Sequence, residues 1–170
     1  MSPVCRRTAL GCPLGTVVTV PAFAITAKDP ELDPNFYYAQ LTLPMAYALS
    51  GMFMEAIAQA DKIIAFHPKT EDPNLLGGFG WVYAIPGKQE LARKHLTLLL
   101  DLRTRRYFDR YFIAQIYAGL GEKDKVFEWL NRGYDERACW LIWLKTDPFM
   151  KNLRFDPRHH TILKKMGWEK

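Results

Sequence analysis

A short pattern that recurs at an interval of 34 residues constrains this chain more than any other feature. Tyr83 and Tyr117 are 34 residues apart, and Gly87 and Gly121 are separated by the same interval. In both copies the glycine is followed by a segment in which apolar residues recur at helical spacing. A period of this length with helical patterning is typical of arrays of helix-turn-helix repeats, in which each hairpin packs on the next.

Composition and charge limit the class of protein. The chain has 170 residues, which is enough for one domain with its own core. Its content of 49% hydrophobic and 24% charged residues is typical of a globular protein. The net charge of +5 is mild, so it favours acidic partners without demanding nucleic acid. The chain has an odd number of cysteines, and no two of them form a CxxC pair; they are Cys5, Cys12 and Cys139. This pattern argues against a disulfide framework and against a structural zinc site.

Three helical hairpins are predicted from the apolar periodicity. They cover residues 36–68, 74–102 and 107–137. Pro44 falls within the first helix of the first hairpin, where a proline costs about 3 kcal/mol. We therefore expect this helix to start near Pro44 or to kink there.

The first helix of the second hairpin contains Gly77, Gly78 and Gly80. Each glycine costs up to about 1 kcal/mol relative to alanine in a helix interior. We expect them to permit a close approach between helices, because a residue without Cβ lets two backbones meet. A phosphate-binding loop is excluded, since no GxxxxGK[ST] motif follows and no strand precedes.

The C-terminal part of the chain is expected to close the array. Residues 140–144 (WLIWL) are too few to span a membrane and predict a partly buried helix. Asp147-Pro148 and Asp156-Pro157 each combine an N-cap aspartate with proline at the first helical position, so each predicts a short helix.

The first 35 residues lack this periodicity and predict an irregular N-terminal arm over the first repeat. Residues 8–27 carry no charge and contain two prolines and two glycines, so no membrane span is expected. Arg6-Arg7 before this stretch and Ala22-Phe23-Ala24 near its end leave an export signal open as the alternative. The expected location is cytoplasmic, or outside the cytoplasm if residues 1–27 act as a signal.

The most basic stretch, residues 103–110, lies among the aromatic residues Tyr107, Phe108, Tyr111 and Phe112, a combination found on nucleic-acid surfaces. We interpret it as an inter-repeat loop with solvated arginines, and expect no nucleic-acid partner. His159-His160 is interpreted as a solvated surface pair, with metal binding as the alternative. Cys139 is interpreted as a buried structural thiol, with a nucleophile as the alternative. No catalytic residue, metal site or cofactor is predicted, so the chain is not expected to be an enzyme.

Three successive copies of a sequence pattern resemble the tetratricopeptide repeat family. Counting from Tyr37, Pro73 and Tyr107, the chain carries a large residue at position seven, a small residue at eight, tyrosine at eleven and alanine at twenty. In that order the matching residues are Leu43, Phe79 and Ile113; Gly80 and Ala114; Tyr47, Tyr83 and Tyr117; and Ala56 and Ala92. Departures occur at Pro44, at Val126 and at position twenty-seven, which is Ile63, Leu99 and Gly133 where alanine is usual.

A narrower resemblance covers roughly residues 76–168. Its motifs are residues 80–84 (GWVYA), 116–124 (IYAGLGEKD), 127–130 (FEWL) and the tail of residues 144–158. It is similar to the C-terminal repeat segment of bacterial multidomain regulators, which is linked there to winged-helix, cyclase or Ser/Thr kinase modules. The resemblance implies an all-α fold, a right-handed α-α superhelix of about three helix pairs with capping helices in residues 36–170. It also implies a scaffold or regulatory role and no catalytic activity.

In tetratricopeptide arrays the first helix of each pair lines a concave groove, and the resemblance carries this groove onto the chain. The implied groove residues are Tyr38, Leu41, Met45, Asn74, Trp81, Phe108, Tyr111 and Gln115. Large exposed side chains on a rigid concavity suit an extended peptide or a partner helix. Some tetratricopeptide grooves bind the C-terminal carboxylate of a partner through lysine and asparagine at groove positions five and nine. This type of groove is disfavoured here, because those residues are missing from these positions.

Three alternatives stay open at this point. The N-terminal arm or the closing helix could fill the groove, since a short array must cover its apolar ends. The chain could instead be a small-ligand sensor or an enzyme with a pocket between the N-terminal arm and the repeats. A homodimer through an exposed repeat face is also open.

Overall fold

The computed structural model of the protein describes residues 37–169, with side chains from Gln40 onward. The predicted arm of residues 1–35 lies outside the described residues. Within the described range the chain forms seven α-helices and two 3-10 helices and no β-strand. The predicted all-α class is therefore confirmed. None of these helices is both long and apolar enough to cross a lipid bilayer.

The first pair consists of α1 (Tyr37–Leu49) and α2 (Phe53–Phe66), which pack against each other. Gly51, with a φ of +78°, makes the left-handed turn between them. The helix α1 runs through Pro44, so the expectation that it starts at Pro44 is wrong. Burial of Leu41, Leu43 and Ala48 along α1 outweighs the hydrogen bond that Pro44 cannot donate.

The second pair consists of α3 (Pro73–Ala84) and α4 (Gln89–Arg105). Asp72 caps α3 by accepting a hydrogen bond of 2.9 Å from the backbone N–H of Asn74. The helix α4 extends to Arg105, so Arg103 and Arg105 lie in its last turn and not in a loop. Cations are favourable there, because the C-terminal end of a helix carries a partial negative charge.

The third pair consists of α5 (Tyr111–Leu120) and α6 (Lys123–Asp135). The helix α5 begins four residues later than predicted, because the Asp109 carboxylate accepts a hydrogen bond of 2.9 Å from the N–H of Tyr111. Gly121, with a φ of +76°, ends α5 in the left-handed conformation that glycine adopts without steric cost.

The three pairs meet through their first helices. The helix α3 packs against both α1 and α5, and residues 75–84 of α3 are all buried. A Cβ on Gly77 would lie 2.7 Å from the Cβ of Phe112, and a Cβ on Gly78 would lie 2.9 Å from the Sδ of Met45. The glycines therefore permit the close helix approach that the sequence predicts.

The chain then turns back over the third pair through residues 139–153, called here the C-terminal segment. It contains two 3-10 helices, Cys139–Trp143 and Pro148–Leu153, and is followed by α7 (Pro157–Lys165). Asp147 and Asp156 cap the second 3-10 helix and α7 as predicted, by accepting hydrogen bonds from the N–H groups of Phe149 and Arg158 at 2.8 and 3.0 Å. The second 3-10 helix packs against α5, and α7 packs against α6.

Candidate binding cavity

A cavity of about 350 Å³ lies where the first helices of the three pairs face the C-terminal segment. The helical wall is formed by Leu41 and Met45 from α1, Asn74 and Gly78 from α3, and Tyr111, Phe112 and Gln115 from α5. The opposite wall is formed by Trp140, Trp143, Thr146, Asp147, Pro148 and Phe149 from the C-terminal segment. No basic side chain is present among these described lining residues.

The cavity brings together five of the eight groove residues that the sequence predicts. These five are Leu41, Met45, Asn74, Tyr111 and Gln115. Tyr38 precedes Gln40, the first residue whose side chain the structure describes. Trp81 and Phe108 are buried and do not line the cavity.

The expectation that the groove side chains are exposed is wrong for most of them. Leu41, Trp81, Phe108, Tyr111 and Gln115 are all buried. The physical reason is visible at Trp81, whose ring packs edge-to-face against Phe149 with the ring centroids 4.4 Å apart. The C-terminal segment thus covers part of the predicted groove, as the alternative with a closing helix expected, and leaves the cavity as the remainder.

Two buried aspartates attach the C-terminal segment to the third pair. Asp109 accepts hydrogen bonds from the backbone N–H of Tyr111 at 2.9 Å and from that of Trp140 at 2.8 Å. Asp147 accepts one from the hydroxyl of Tyr111. Because each aspartate joins groups on two elements, the two hold the far wall of the cavity in place.

Tyr111 and Asp147 are the titratable pair of the cavity. Burial raises the pKa of Tyr111 well above its usual range, and the neighbouring Asp147 carboxylate raises it further. Burial also raises the pKa of Asp147, against the opposing effects of its hydrogen bonds from Tyr111 and the N–H of Phe149 and of the charge on Arg154. Within this pair the phenol donates the hydrogen bond and the carboxylate accepts it.

Gln115 supplies a neutral hydrogen-bonding group to the cavity. Its side chain is only 5% exposed, lines the cavity, and makes no hydrogen bond with any other described residue. An amide without a described protein partner on a cavity wall can bond a ligand atom or water.

The thiol of Cys139 and the histidine pair differ from what the sequence predicts. Cys139 is exposed and not buried, and its Sγ lies 3.5 Å from Asp109 Oδ2. Loss of hydration at the sulfur and the nearby carboxylate raise the pKa of Cys139, which keeps it a thiol. His159, in α7, is buried, so only His160 of the pair is at the surface, where its Nδ1 lies 2.9 Å from the carboxylate of Glu169. Within residues 40–169 no three potential metal ligands are grouped together.

The contribution of the C-terminal segment to the cavity is the part that sequence analysis missed. The N-cap signal at Asp147-Pro148 identifies the start of a helix but not the partner of its carboxylate. That partner, Tyr111, lies 36 residues earlier in the chain. No local pattern encodes a contact of this kind.

In comparisons with known proteins, no family model, no curated protein and no solved structure matches this chain. The function of the cavity is therefore inferred from its geometry and chemistry.

Proposed function

We propose that this protein is a protein-interaction module of the tetratricopeptide type whose cavity receives one bulky side chain of a partner peptide. The observation that carries the proposal is the apolar cavity of about 350 Å³ between the first helices and the C-terminal segment. The contacts of α3 with both α1 and α5 support a stacked, superhelical arrangement of the pairs. The proposal includes a scaffold or regulatory role in the cytoplasm and no catalytic activity.

The size of the cavity favours a single anchoring side chain over a long bound segment. Phe149 already occupies the part of the groove next to Trp81. The remaining volume is near the lower end of the range of about 300–1,000 Å³ for small-molecule pockets. This volume can hold one aromatic or long aliphatic side chain together with part of its flanking backbone.

The chemistry of the walls suits a peptide. Trp140 and Trp143 are 39% and 53% exposed, and tryptophan is enriched among the residues that dominate binding energy in interfaces. The unpaired amide of Gln115 can donate to a peptide carbonyl and accept from a peptide N–H. The cavity thus offers an apolar socket and a neutral hydrogen-bonding group for the backbone next to the anchor.

A second candidate function is binding of a free small apolar molecule. The observation that favours it is the presence of Tyr111 and Asp147, two groups with shifted pKa values, in the wall of the cavity. This cavity lies between the helix pairs and the C-terminal segment. A pocket between the repeats and the N-terminal arm, which the sequence-based alternative expected, would involve residues outside the described range.

The experiment that tests the peptide proposal is selection from a displayed library of random peptides, followed by measurement of the affinity of the selected sequences. We expect these sequences to share one bulky anchor position. We also expect Trp143→Ala to weaken their binding about tenfold or more, because this ring lines the cavity.

Ile142→Ala is the matched control. Ile142 is 54% exposed, close to the 53% of Trp143, and it belongs to the same 3-10 helix without lining this cavity. Peptides that bind both variants equally well would place the binding surface elsewhere and refute the proposal. A small apolar probe such as indole that binds the cavity while no peptide is selected would favour the second candidate.

A further inference from the structure

The walls of the cavity combine many aromatic rings with a single ionisable carboxylate. Tyr111, Phe112, Trp140, Trp143 and Phe149 all contribute to the lining. Asp147 is the acidic lining residue, and the described lining contains no lysine, arginine or histidine. A carboxylate is therefore the one charged group in the described lining, and its sign is opposite to the net charge of +5 of the whole chain.

This combination selects a particular kind of ligand. Aromatic rings attract cations through their quadrupole, and tryptophan does so most strongly. An ordinary lysine ammonium would lose strong hydrogen bonds to water on entering an apolar cavity, and its three N–H donors would need new acceptors. A methylated ammonium has no such donors when fully methylated, so it loses less on leaving water and keeps its charge.

We propose that the anchoring side chain received by the cavity carries a methylated ammonium group, as trimethyl-lysine does. This inference rests on the proposed function and specifies the chemistry of the partner. The aromatic rings would surround the methyl groups, Asp147 would supply the opposite charge, and Gln115 would bond the peptide backbone.

The carboxylate of Asp147 has not already been neutralised by a direct ion pair with a described residue. Its hydrogen bonds come from the neutral donors Tyr111 hydroxyl and Phe149 N–H. Arg154, whose positive charge lowers the pKa of Asp147, donates instead to the backbone carbonyls of Thr146 and Asp147, at 3.0 and 3.2 Å. Arg154 is also not part of the cavity wall. None of the described lining residues therefore neutralises this carboxylate by an ion pair.

The test compares two peptides that differ only in charge. One is a short capped glycine-rich peptide with a central trimethyl-lysine, and the other carries the same side chain with carbon in place of the quaternary nitrogen. Binding is followed by two-dimensional NMR through the indole N–H signals of the tryptophans. We expect the cationic peptide to bind about tenfold or more tightly than the neutral one, as cation–π attraction predicts. Equal or tighter binding of the neutral peptide would overturn the inference.

Two substitutions separate the charge from the rings. Asp147→Asn removes the charge but keeps an oxygen that can accept from the N–H of Phe149, so we expect it to abolish most of the preference for the cationic peptide. Trp143→Ala should weaken binding of the cationic peptide, and Trp143→Phe should restore part of it, because phenylalanine retains an aromatic ring. Ile142→Ala should leave both affinities unchanged. A preference for the cation that survives both Asp147→Asn and Trp143→Ala would refute the assignment to this cavity.

The outcomes for this inference and for the proposed function are distinguishable. If the neutral peptide binds as well as the cationic one and Trp143→Ala weakens both, the cation is refuted and the peptide site is supported. If neither peptide nor any library peptide binds, the peptide function is refuted. Choline is the free small-molecule arm: choline that binds as tightly as the cationic peptide would support the cation and refute the peptide as its carrier.

Discussion

The phenolic hydroxyl of Tyr111 in α5 donates a hydrogen bond to the carboxylate of Asp147, a residue 36 positions later that caps the second 3-10 helix. Both side chains are buried. One carboxylate thus caps a helix through the N–H of Phe149 and also attaches that helix to the third helix pair. The same group therefore holds both the wall of the cavity and the C-terminal segment.

Replacement of Tyr111 by phenylalanine should show how much this hydrogen bond contributes to the stability of the fold. We expect Tyr111→Phe to lower the free energy of unfolding by about 1–3 kcal/mol, because a buried carboxylate loses its donor while the ring volume is kept. The pKa of Asp147 should rise further, since the hydrogen bond from Tyr111 now lowers it. Urea unfolding and NMR titration of the carboxyl carbon measure the two effects.

Tyr107→Phe is the control for the loss of a hydroxyl. Tyr107 is 64% exposed, and a surface change of this kind usually alters stability by no more than about 0.5 kcal/mol. Equal stabilities of the Tyr111→Phe and Tyr107→Phe variants would show that the buried hydrogen bond contributes nothing net.

A second prediction concerns Asp109, which holds the start of the C-terminal segment. Asp109→Ala removes the acceptor of two backbone N–H groups, those of Tyr111 and Trp140, and should destabilise the fold by about 1–3 kcal/mol. Asp109→Asn should lose less, because its amide oxygen can still accept from the N–H of Tyr111 at the helix start. We expect thermal and urea unfolding to show stability decreasing in the order wild type, Asp109→Asn, Asp109→Ala.

Asp135→Ala serves as the reference for the loss of an exposed aspartate at the end of α6. It should change stability by about 0.5 kcal/mol or less. A loss in Asp109→Ala no larger than that in Asp135→Ala would mean that the C-terminal segment stays attached without Asp109.

The helix pairs could be predicted from the sequence because their determinants are local. The periodicity of apolar residues, the glycines after α1, α3 and α5 and the Asp-Pro caps all act within a few residues of the backbone that they shape. Pro44 is the exception, since its local penalty is outweighed by burial of neighbours such as Leu41 and Leu43 in the core. Local rules fail where tertiary burial is larger than the local cost.

Only one of the two walls of the cavity could be predicted from the sequence. Its helical wall follows from repeat register, which placed Leu41, Met45 and Gln115 on one surface. The opposite wall is made by short 3-10 helices, which are too short to show a period, and its contacts depend on how the chain turns back after α6. The burial of Asp109 follows from the same turn, because its partner N–H belongs to Trp140, 31 residues later.

A third prediction uses two glycines in opposite packing environments. Gly77→Ala would place a Cβ 2.7 Å from the Cβ of Phe112, so α3 and α5 must separate. Overpacking of this kind costs about 1–3 kcal/mol, which exceeds the gain of up to about 1 kcal/mol in helix propensity. We expect Gly77→Ala to destabilise the protein in urea unfolding.

Gly133→Ala in α6 is the matched substitution. Its new Cβ would have ordinary contact distances, the nearest being 3.4 Å to the Cβ of Ala138. Here the gain in helix propensity should prevail and raise stability by up to about 1 kcal/mol. Effects of the same sign at both positions would contradict the role of Gly77 in the spacing of the first helices.

The last prediction concerns the response of stability to acid. His95 and His159 are buried, and burial lowers the pKa of each imidazole below its usual value of 6.5. The folded chain therefore binds these protons more weakly than the unfolded chain, so protonation favours unfolding. The stabilisation is complete above pH 6.5 and is lost as the pH falls through the lowered pKa values.

We therefore expect the free energy of unfolding to decrease as the pH falls below 6.5, by at most about 1.4 kcal/mol per pH unit for each histidine. Carboxylates such as Asp156, whose pKa the hydrogen bond from Arg158 lowers to about 2, contribute to acid unfolding only at lower pH. The double variant with His95→Gln and His159→Gln should flatten the dependence in this window, whereas His67→Gln, at an exposed position after α2, should leave it unchanged. An identical slope in the double variant and the wild type would show that neither histidine is the group that titrates.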